Sequence, residues 1–152
     1  RRSYSSANAP EHLGNPPMVE LHLRHMPGGK FTDHVFAAMK EKEILRVEGP
    51  LGSFFLREDS SKPIVLLASG TGFAPIKAII EHLRAKGITR DAVLYWGCRS
   101  KADLYLHDWA TQTAAAMSSG RASSLTFATS RCCRKPRPKT HGAAARASFT
   151  RR

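Results

Sequence analysis

Between Pro63 and Pro75 the chain reads Pro-Ile-Val-Leu-Leu-Ala-Ser-Gly-Thr-Gly-Phe-Ala-Pro, and no other stretch limits its fold so tightly. Ile64 to Ala68 is an apolar run of strand length that stops at Gly70-Thr71-Gly72. Apolar residues then recur at helical spacing, Ile76, Ile79, Ile80 and Leu83, until Gly87 ends the pattern. The spacing predicts a buried strand, a tight glycine turn and a helix. A helix N-terminus reached through glycines is an anion site, because its first amides lack intrahelical partners and the helix dipole is positive there. Glycine lets a phosphate approach the backbone, and Pro75 suits the first helical turn, where an N–H is not needed. Pro75 also stands where a dinucleotide fingerprint, G-x-G-x-x-G, would place its third glycine. By itself the motif outlines a dinucleotide site only weakly.

The flanking sequence supplies more elements. Ala92 to Trp96 reads as a second strand ending at Gly97-Cys98-Arg99, and Ser100 with Asp103 forms a capping box for a helix ending near Trp109. Strand, helix and strand make a right-handed parallel unit whose ligand belongs at the carboxyl ends of the strands. Gly70, Thr71 and Gly72 therefore converge with Gly97, Cys98 and Arg99. Upstream, residues 1–6 and 18–26 alternate as strands do, with Val19, Leu21 and Leu23 on one face and Glu20, His22 and Arg24 on the other. Thr32 is expected to cap a helix from Asp33 to about Lys42, stapled by Phe31 and Phe36. A strand over Ile44–Val47 and a turn at Gly49–Gly52 complete the reading of this half.

Charge divides the chain. The net +12 is uneven: residues 1–109 hold 15 Lys+Arg against all 12 Asp+Glu, whereas 110–152 hold 9 Lys+Arg and no acid. The tail beyond Ser130 is basic, rich in Ala, Ser and Arg, and without apolar periodicity, so disorder is expected there. Basic residues suit nucleic-acid phosphates, but Phe127 and Phe149 stand alone, and interleaved aromatics are lacking. A nucleic-acid-binding module is therefore the disfavoured alternative. Cys98, Cys132 and Cys133 have neither disulfide-framework nor metal-site spacing, and no apolar run has membrane length. These features lead to the expectation of a cytoplasmic protein that binds no metal.

Three motifs in fixed order carry a resemblance: Arg2-Ser3-Tyr4-Ser5 as R-x-Y-S, Gly28-Gly29-Lys30-Phe31-Thr32 as G-G-x-x-T, then Gly70-Thr71-Gly72-Phe73-Ala74-Pro75. In this order they resemble the ferredoxin–NADP(+) reductase superfamily. The run from Val19 to Tyr105 looks most similar to its bacterial NAD(P)H-dependent flavin oxidoreductases, such as CDP-6-deoxy-glucoseen reductases and oxygenase reductase components. The resemblance implies part of an antiparallel Greek-key FAD-binding β-barrel over residues 1–60. A truncated α/β Rossmann-like NAD(P)-binding domain over 61–130 and a basic tail over 131–152 would follow. It implies that Arg2 holds the flavin pyrophosphate, Tyr4 the ring and ribityl chain, and that Ser5 lies near flavin N5. Leu21, His22 and Leu23 would line the flavin, while Gly28, Gly29, Lys30, Phe31 and Thr32 place amides on the second phosphate. Gly70, Thr71, Gly72 and Pro75 would face the nicotinamide dinucleotide, and Gly97, Arg99 and Lys101 its adenosine ribose. Tyr4, Ser5 and Thr71 are the implied catalytic residues.

The implied cofactors are FAD and NADH, or NADPH if Arg99 and Lys101 hold a 2′-phosphate; the similar relatives favour NADH. The implied partner is an electron-acceptor protein or domain. A [2Fe–2S] centre would belong to a separate domain, since its C-x₄-C-x₂-C run does not occur in this sequence. The resemblance also implies three barrel strands before Arg2, and further strand–helix units with a Cys-Gly motif after Trp109. Leu125–Phe127 reads as a remnant of the third strand, and Arg131–Lys139 as a different reading frame of GC-rich DNA. A truncated or frameshifted, non-functional relative is accordingly the second alternative.

Overall fold

Phe73 and Trp96 stack ring on ring, centroids 3.8 Å apart and planes 11° from parallel, and the second half of the chain is built around that pair. In the computed structural model, which describes residues 2–119, 125–131 and 144–150, Trp96 lies on a three-stranded parallel sheet. Its strands are β2 (Ile64–Ser69), β3 (Ala92–Cys98) and β4 (Leu125–Arg131), in that spatial order, with Ile64 opposite Ala92 and Ala92 opposite Leu125. Before them come β1 (Met18–Arg24) and α1 (Lys30–Ala37); α2 (Phe73–Ala85) and α3 (His107–Ser119) connect the parallel strands, and β5 (Ala144–Thr150) comes last. Short 3₁₀ turns form at Pro10–His12, Gly70–Gly72 and Lys101–Asp103. Leu66, Leu94 and Trp96 from the sheet pack with Phe73, Ile76 and Ile80 of α2 and with Ala110, Ala114 and Met117 of α3.

The expected strand, glycine turn and helix form where the periodicity places them, with Pro75 in the first turn of α2. The third strand also forms, and runs on to Arg131. One expectation fails on burial. Leu66 is buried, but Val65 and Leu67 are 64% and 69% exposed, so β2 is covered on one face among the described residues. Consecutive crossovers of the same hand set α2 and α3 on one side of the sheet. The Ser100–Asp103 capping box is present, its carboxylate accepting from Ser100 N–H (2.9 Å) and Oγ–H (3.0 Å). It closes only the Lys101–Asp103 turn, and the helix that follows runs from His107 to Ser119 rather than ending near Trp109.

The first half departs further from expectation. Within residues 2–6 only Ser6 pairs, with Leu21, and Ala7 N–H donates to Glu20 O (2.8 Å). Helix α1 is capped by Gly29, not Thr32, and ends at Ala37, short of Lys42. Phe31 meets Tyr4, and Phe36 stacks on His25, so the predicted staple does not form. Residues 44–47 are not a strand, and Ile44 is 93% exposed; without a neighbouring strand among the described residues an extended segment has no ladder to hold it. Both faces of β1 carry buried residues, Glu20 and His22 on one and Leu23 on the other. Charged groups tolerate burial when paired, and α2 supplies a partner for Glu20. Residues 144–150, expected to be disordered, pair antiparallel with β1 from Met18↔Thr150 to Arg24↔Ala144. That ladder uses main-chain groups, to which composition is blind. The rest of the basic tail, 132–143 and 151–152, lies outside the described residues.

Helix α2 also reaches the first half through His82, whose Nδ1 lies 2.9 Å from Glu11 and Nε2 2.9 Å from Glu58. Bonds to Glu11 and then Glu58 raise its pKa above the ordinary 6.5, and the bond to His82 lowers that of Glu11 below 4.5. A raised histidine stabilises fully below its unfolded pKa and loses the effect as pH rises through the folded value. The lowered Glu11 stabilises above its unfolded pKa and loses it as pH falls through the folded value, so the clasp is strongest between these limits. His82→Gln should therefore lower the melting temperature by a few degrees near about pH 5.5 and by less near about pH 8.5, a difference read by paired thermal melts.

Candidate functional site

Two glycine-bearing turns and one exposed segment define the site. In the first turn, Gly70 has φ +52°, a conformation glycine adopts without strain, and its carbonyl accepts from Trp96 Nε1 (3.2 Å). Gly72 caps α2 with an ordinary φ of −61°. A Cβ built on either glycine meets nothing within 4 Å, so open space lies in front of the turn. Open backbone, a thirteen-residue helix dipole behind it and a proline needing no partner suit a phosphate-bearing ligand. Thr71 between them is half-buried, and Pro75 is the third residue of α2.

Across the sheet, Gly97 pairs with Ser69, which brings the end of β3 beside the glycine turn as the parallel topology requires. Arg99 and Lys101 follow, both exposed. Asp103 is committed to the capping turn. Burial opposes its ionisation, yet the Ser100 N–H and hydroxyl, with Arg24 nearby, hold its carboxyl below the usual range. The cations at this strand end thus remain exposed while the adjacent acid is engaged.

On the other half, Arg2, Tyr4 and Ser5 are exposed, Tyr4 at 38%. The Tyr4 ring lies 5.6 Å from Phe31, so the R-x-Y-S segment touches the G-G-x-x-T helix. There the first intrahelical bond runs from Asp33 N–H to Gly29 O (2.8 Å), leaving the Lys30, Phe31 and Thr32 amides outside the ladder. Gly28 has φ +80°, and its N–H donates to Asp33 Oδ2 (3.0 Å). Gly29 is required by packing: a Cβ would come 2.6 Å from Thr32 Oγ1 and 2.9 Å from Met26 O. Thr32 is buried at the third position of α1, where its hydroxyl bonds Met26 O (3.0 Å) and Met26 N–H (3.3 Å). Its side chain holds the loop closed instead of capping the helix.

The histidine differs most from expectation. His22 is buried with both ring nitrogens engaged: Nε2 lies 2.8 Å from Glu20 Oε1 and Nδ1 2.6 Å from the Tyr105 hydroxyl. Burial first, and the Glu20 charge second, push the Tyr105 phenol well above its ordinary pKa, so it is neutral at physiological pH. A neutral phenol can donate to Nδ1, an arrangement that leaves Nε2 to donate to Glu20. Leu21 is half-buried and Leu23 buried. The sequence reading missed the groups behind this histidine: Glu20, Lys77 and Glu81. Lys77 Nζ bonds Glu81 Oε1, Glu20 Oε2 (3.3 Å) and Ala7 O (3.0 Å), and Glu81 Oε2 accepts from Ala9 N–H (3.1 Å). One signal was available: Lys77 and Glu81 stand four residues apart, between the apolar positions of α2.

Two family models match this sequence: an oxidoreductase FAD-binding domain over residues 1–56 and an oxidoreductase NAD-binding domain over residues 66–141. The second runs past Ser130, where the sequence reading found no further likeness. The chain is 46% identical over 113 residues to a CDP-6-deoxy-L-threo-D-glycero-4-hexulose-3-dehydrase reductase of Yersinia pestis, covering 72% of this chain and 33% of that protein. It is 41% identical over 105 residues to a terephthalate 1,2-dioxygenase reductase component of Comamonas, covering 69% and 30%. It thus spans about a third of the length of these relatives. Among solved structures, an Amycolatopsis cytochrome P450 reductase matches with a TM-score of 0.69 at 35% identity, over 85% of this chain and 38% of that one. A Neisseria gonorrhoeae ferredoxin–NADP(+) reductase shares the fold, with a TM-score of 0.64 at 21% identity over 88% and 51%. With its exposed R-x-Y-S segment against a G-G-x-x-T helix and its glycine turn on a parallel sheet, the chain belongs to the flavin- and nicotinamide-dependent oxidoreductases of ferredoxin–NADP(+) reductase fold, in which an FAD-binding domain precedes an NAD-binding domain.

Proposed function

We propose that this chain serves an NAD(P)H-dependent flavin reductase activity, passing reducing equivalents from a nicotinamide dinucleotide through FAD to an iron–sulfur centre or another acceptor. The observation that carries the reading is the glycine turn: open space in front of Gly70 and Gly72, the positive end of α2 behind them, and the end of β3 alongside. Once bound, the cofactors supply hydride chemistry, from the nicotinamide ring to flavin N5. The protein's own task is to hold, align and exclude water. Arg2 offers a bidentate fork to a pyrophosphate, Tyr4 an aromatic face and Ser5 a hydroxyl, and the amides opening α1 suit a second phosphate. Gly70, Thr71, Gly72 and Pro75 receive the nicotinamide dinucleotide, with Gly97, Arg99 and Lys101 at its ribose end. The division near residue 60 follows from these roles. Among the described residues no helix is long and apolar enough to cross a membrane; we take the cytoplasm as the compartment and NADH as the donor.

FAD titration followed by flavin fluorescence tests the first half. The chain should take up FAD, and Arg2→Ala should cost about 1.5–3 kcal/mol of affinity by removing a charge-assisted bond. Uptake of no FAD would reject the reading for this chain.

The glycines separate fold from ligand. Gly70→Ala should destabilise by about 1 kcal/mol, because its φ is in the left-handed region. Gly72→Ala, with ordinary φ and free space for the methyl, should leave the melting temperature unchanged while weakening nucleotide binding, measured by calorimetry. Unchanged nucleotide affinity in Gly72→Ala would place the dinucleotide elsewhere.

Arg99→Ala distinguishes the coenzymes. A loss confined to NADPH identifies Arg99 as a 2′-phosphate contact, and equal losses identify a general anion contact. Binding titrations with both coenzymes read the difference.

A further inference from the structure

The residues that join the two halves form one buried cluster. Lys77 is 3% exposed, its ammonium held by Glu20 from β1, Glu81 from its own helix and the Ala7 carbonyl. Ala7 and Ala9 are fully buried, so their main-chain groups have no access to water. Asn8 fastens the same three residues to β1, its Oδ1 accepting from Glu20 N–H and its Nδ2 donating to Met18 O, each at 2.9 Å. Residues 7–9 are thus held by β1 on one side and by α2 on the other.

The positions along the chain give this cluster its meaning. Ala7 lies two residues past Ser5, about 7 Å of extended chain. Lys77 lies five residues past Gly72, about 7.5 Å along a rigid helix. One ammonium therefore ties together, by short and stiff connections, the segment assigned to flavin and the turn assigned to the nicotinamide dinucleotide. Stability alone does not call for an ion cluster here, since a buried pair replaced by apolar groups of similar volume is often no less stable. Directional bonds do what apolar packing does not: they fix register.

We propose that Lys77, gripped by Glu20 and Glu81, is a positioning residue that sets where the Arg2–Ser5 segment stands relative to the glycine turn. Its consequence for hydride transfer rests on the function proposed above; the contact itself does not. Hydride transfer is sensitive to placement, and a displacement of about 1 Å is worth as much as 100-fold in rate.

The test uses the full chain with three variants: Lys77→Met, Lys77→Arg, and Lys77→Met combined with Glu20→Gln, which leaves no uncompensated Glu20 charge if the single variant fails to fold. Hydrogen exchange is followed at the Ala9 amide and in β3. Affinity for FAD, the Michaelis constant for NADH and the rate of flavin reduction at saturating NADH are measured in parallel. In the methionine variants, exchange at Ala9 should rise about tenfold with β3 unchanged, because the Glu81 acceptor is no longer held. Flavin reduction should slow between about 10- and 100-fold with both affinities preserved, and Lys77→Arg should recover part of the rate. Unchanged exchange at Ala9, or an unchanged rate, overturns the proposal. So does a uniform rise in exchange with loss of both cofactors, which would mark Lys77 as a general stabiliser. If the unaltered chain takes up no FAD, the functional reading fails on that result, and Ala9 exchange alone decides for or against the clamp.

Discussion

A lysine ammonium buried between two carboxylates ties α2 to β1, and through them one half of this molecule to the other. Lys77 and Glu81 stand one turn apart on α2, and Glu20, 57 positions before Lys77, meets them from β1. Each would be costly to bury alone, and each is tolerable because the others are present. The cluster extends at both ends, to the half-exposed His12 beside Glu81 and to His22 and Tyr105 beside Glu20. The Trp109 ring also lies 5.5 Å from the ammonium, which adds an aromatic face to its surroundings. Charge and hydrogen bonds run through this junction, whereas the core of the sheet domain is apolar.

That sheet domain is one-sided in the described residues. The Phe73–Trp96 stack is continued by Tyr105 and Trp109, both edge-on, and together they support the glycine turn from below. Trp96 serves twice: its ring fills the core, and its indole N–H holds the Gly70 carbonyl. A buried tryptophan that satisfies its polar atom on a turn fixes that turn's height above the sheet. The open conformation of the glycine turn thus rests on core packing, and the opening in front of it on two missing side chains.

Glycines in the two motifs act for different reasons. Gly70 is needed for a left-handed backbone, Gly29 because Thr32 and Met26 leave no room for a Cβ, and Gly72 for neither. At Gly72 neither backbone conformation nor packing calls for glycine. Thr32 likewise turns inward, holding the loop whose backbone is presented.

The sequence by itself determined the parallel strand–helix–strand unit, the glycine turn at its strand ends and the family order of its motifs. Those features are local: apolar spacing, glycine and capping residues act within a turn or two of the chain, so Ile64–Leu83 and the Ser100–Asp103 box are legible where they stand. Tertiary structure decided the rest. Alternation along β1 identified two faces but not their cover, and the fold buries Glu20, paired with Lys77, and His22 on one face and Leu23 on the other. Ile44–Val47 had strand-like composition without a neighbouring strand among the described residues, and 144–150 had a neighbour without strand-like composition; only pairing distinguishes them. His22 was legible as a strand residue, but its partner Tyr105 lies 83 positions away, beyond the reach of any local pattern. Burial and pairing of charge are set by what the folded chain brings alongside, and that is the reason the clamp appears only in three dimensions.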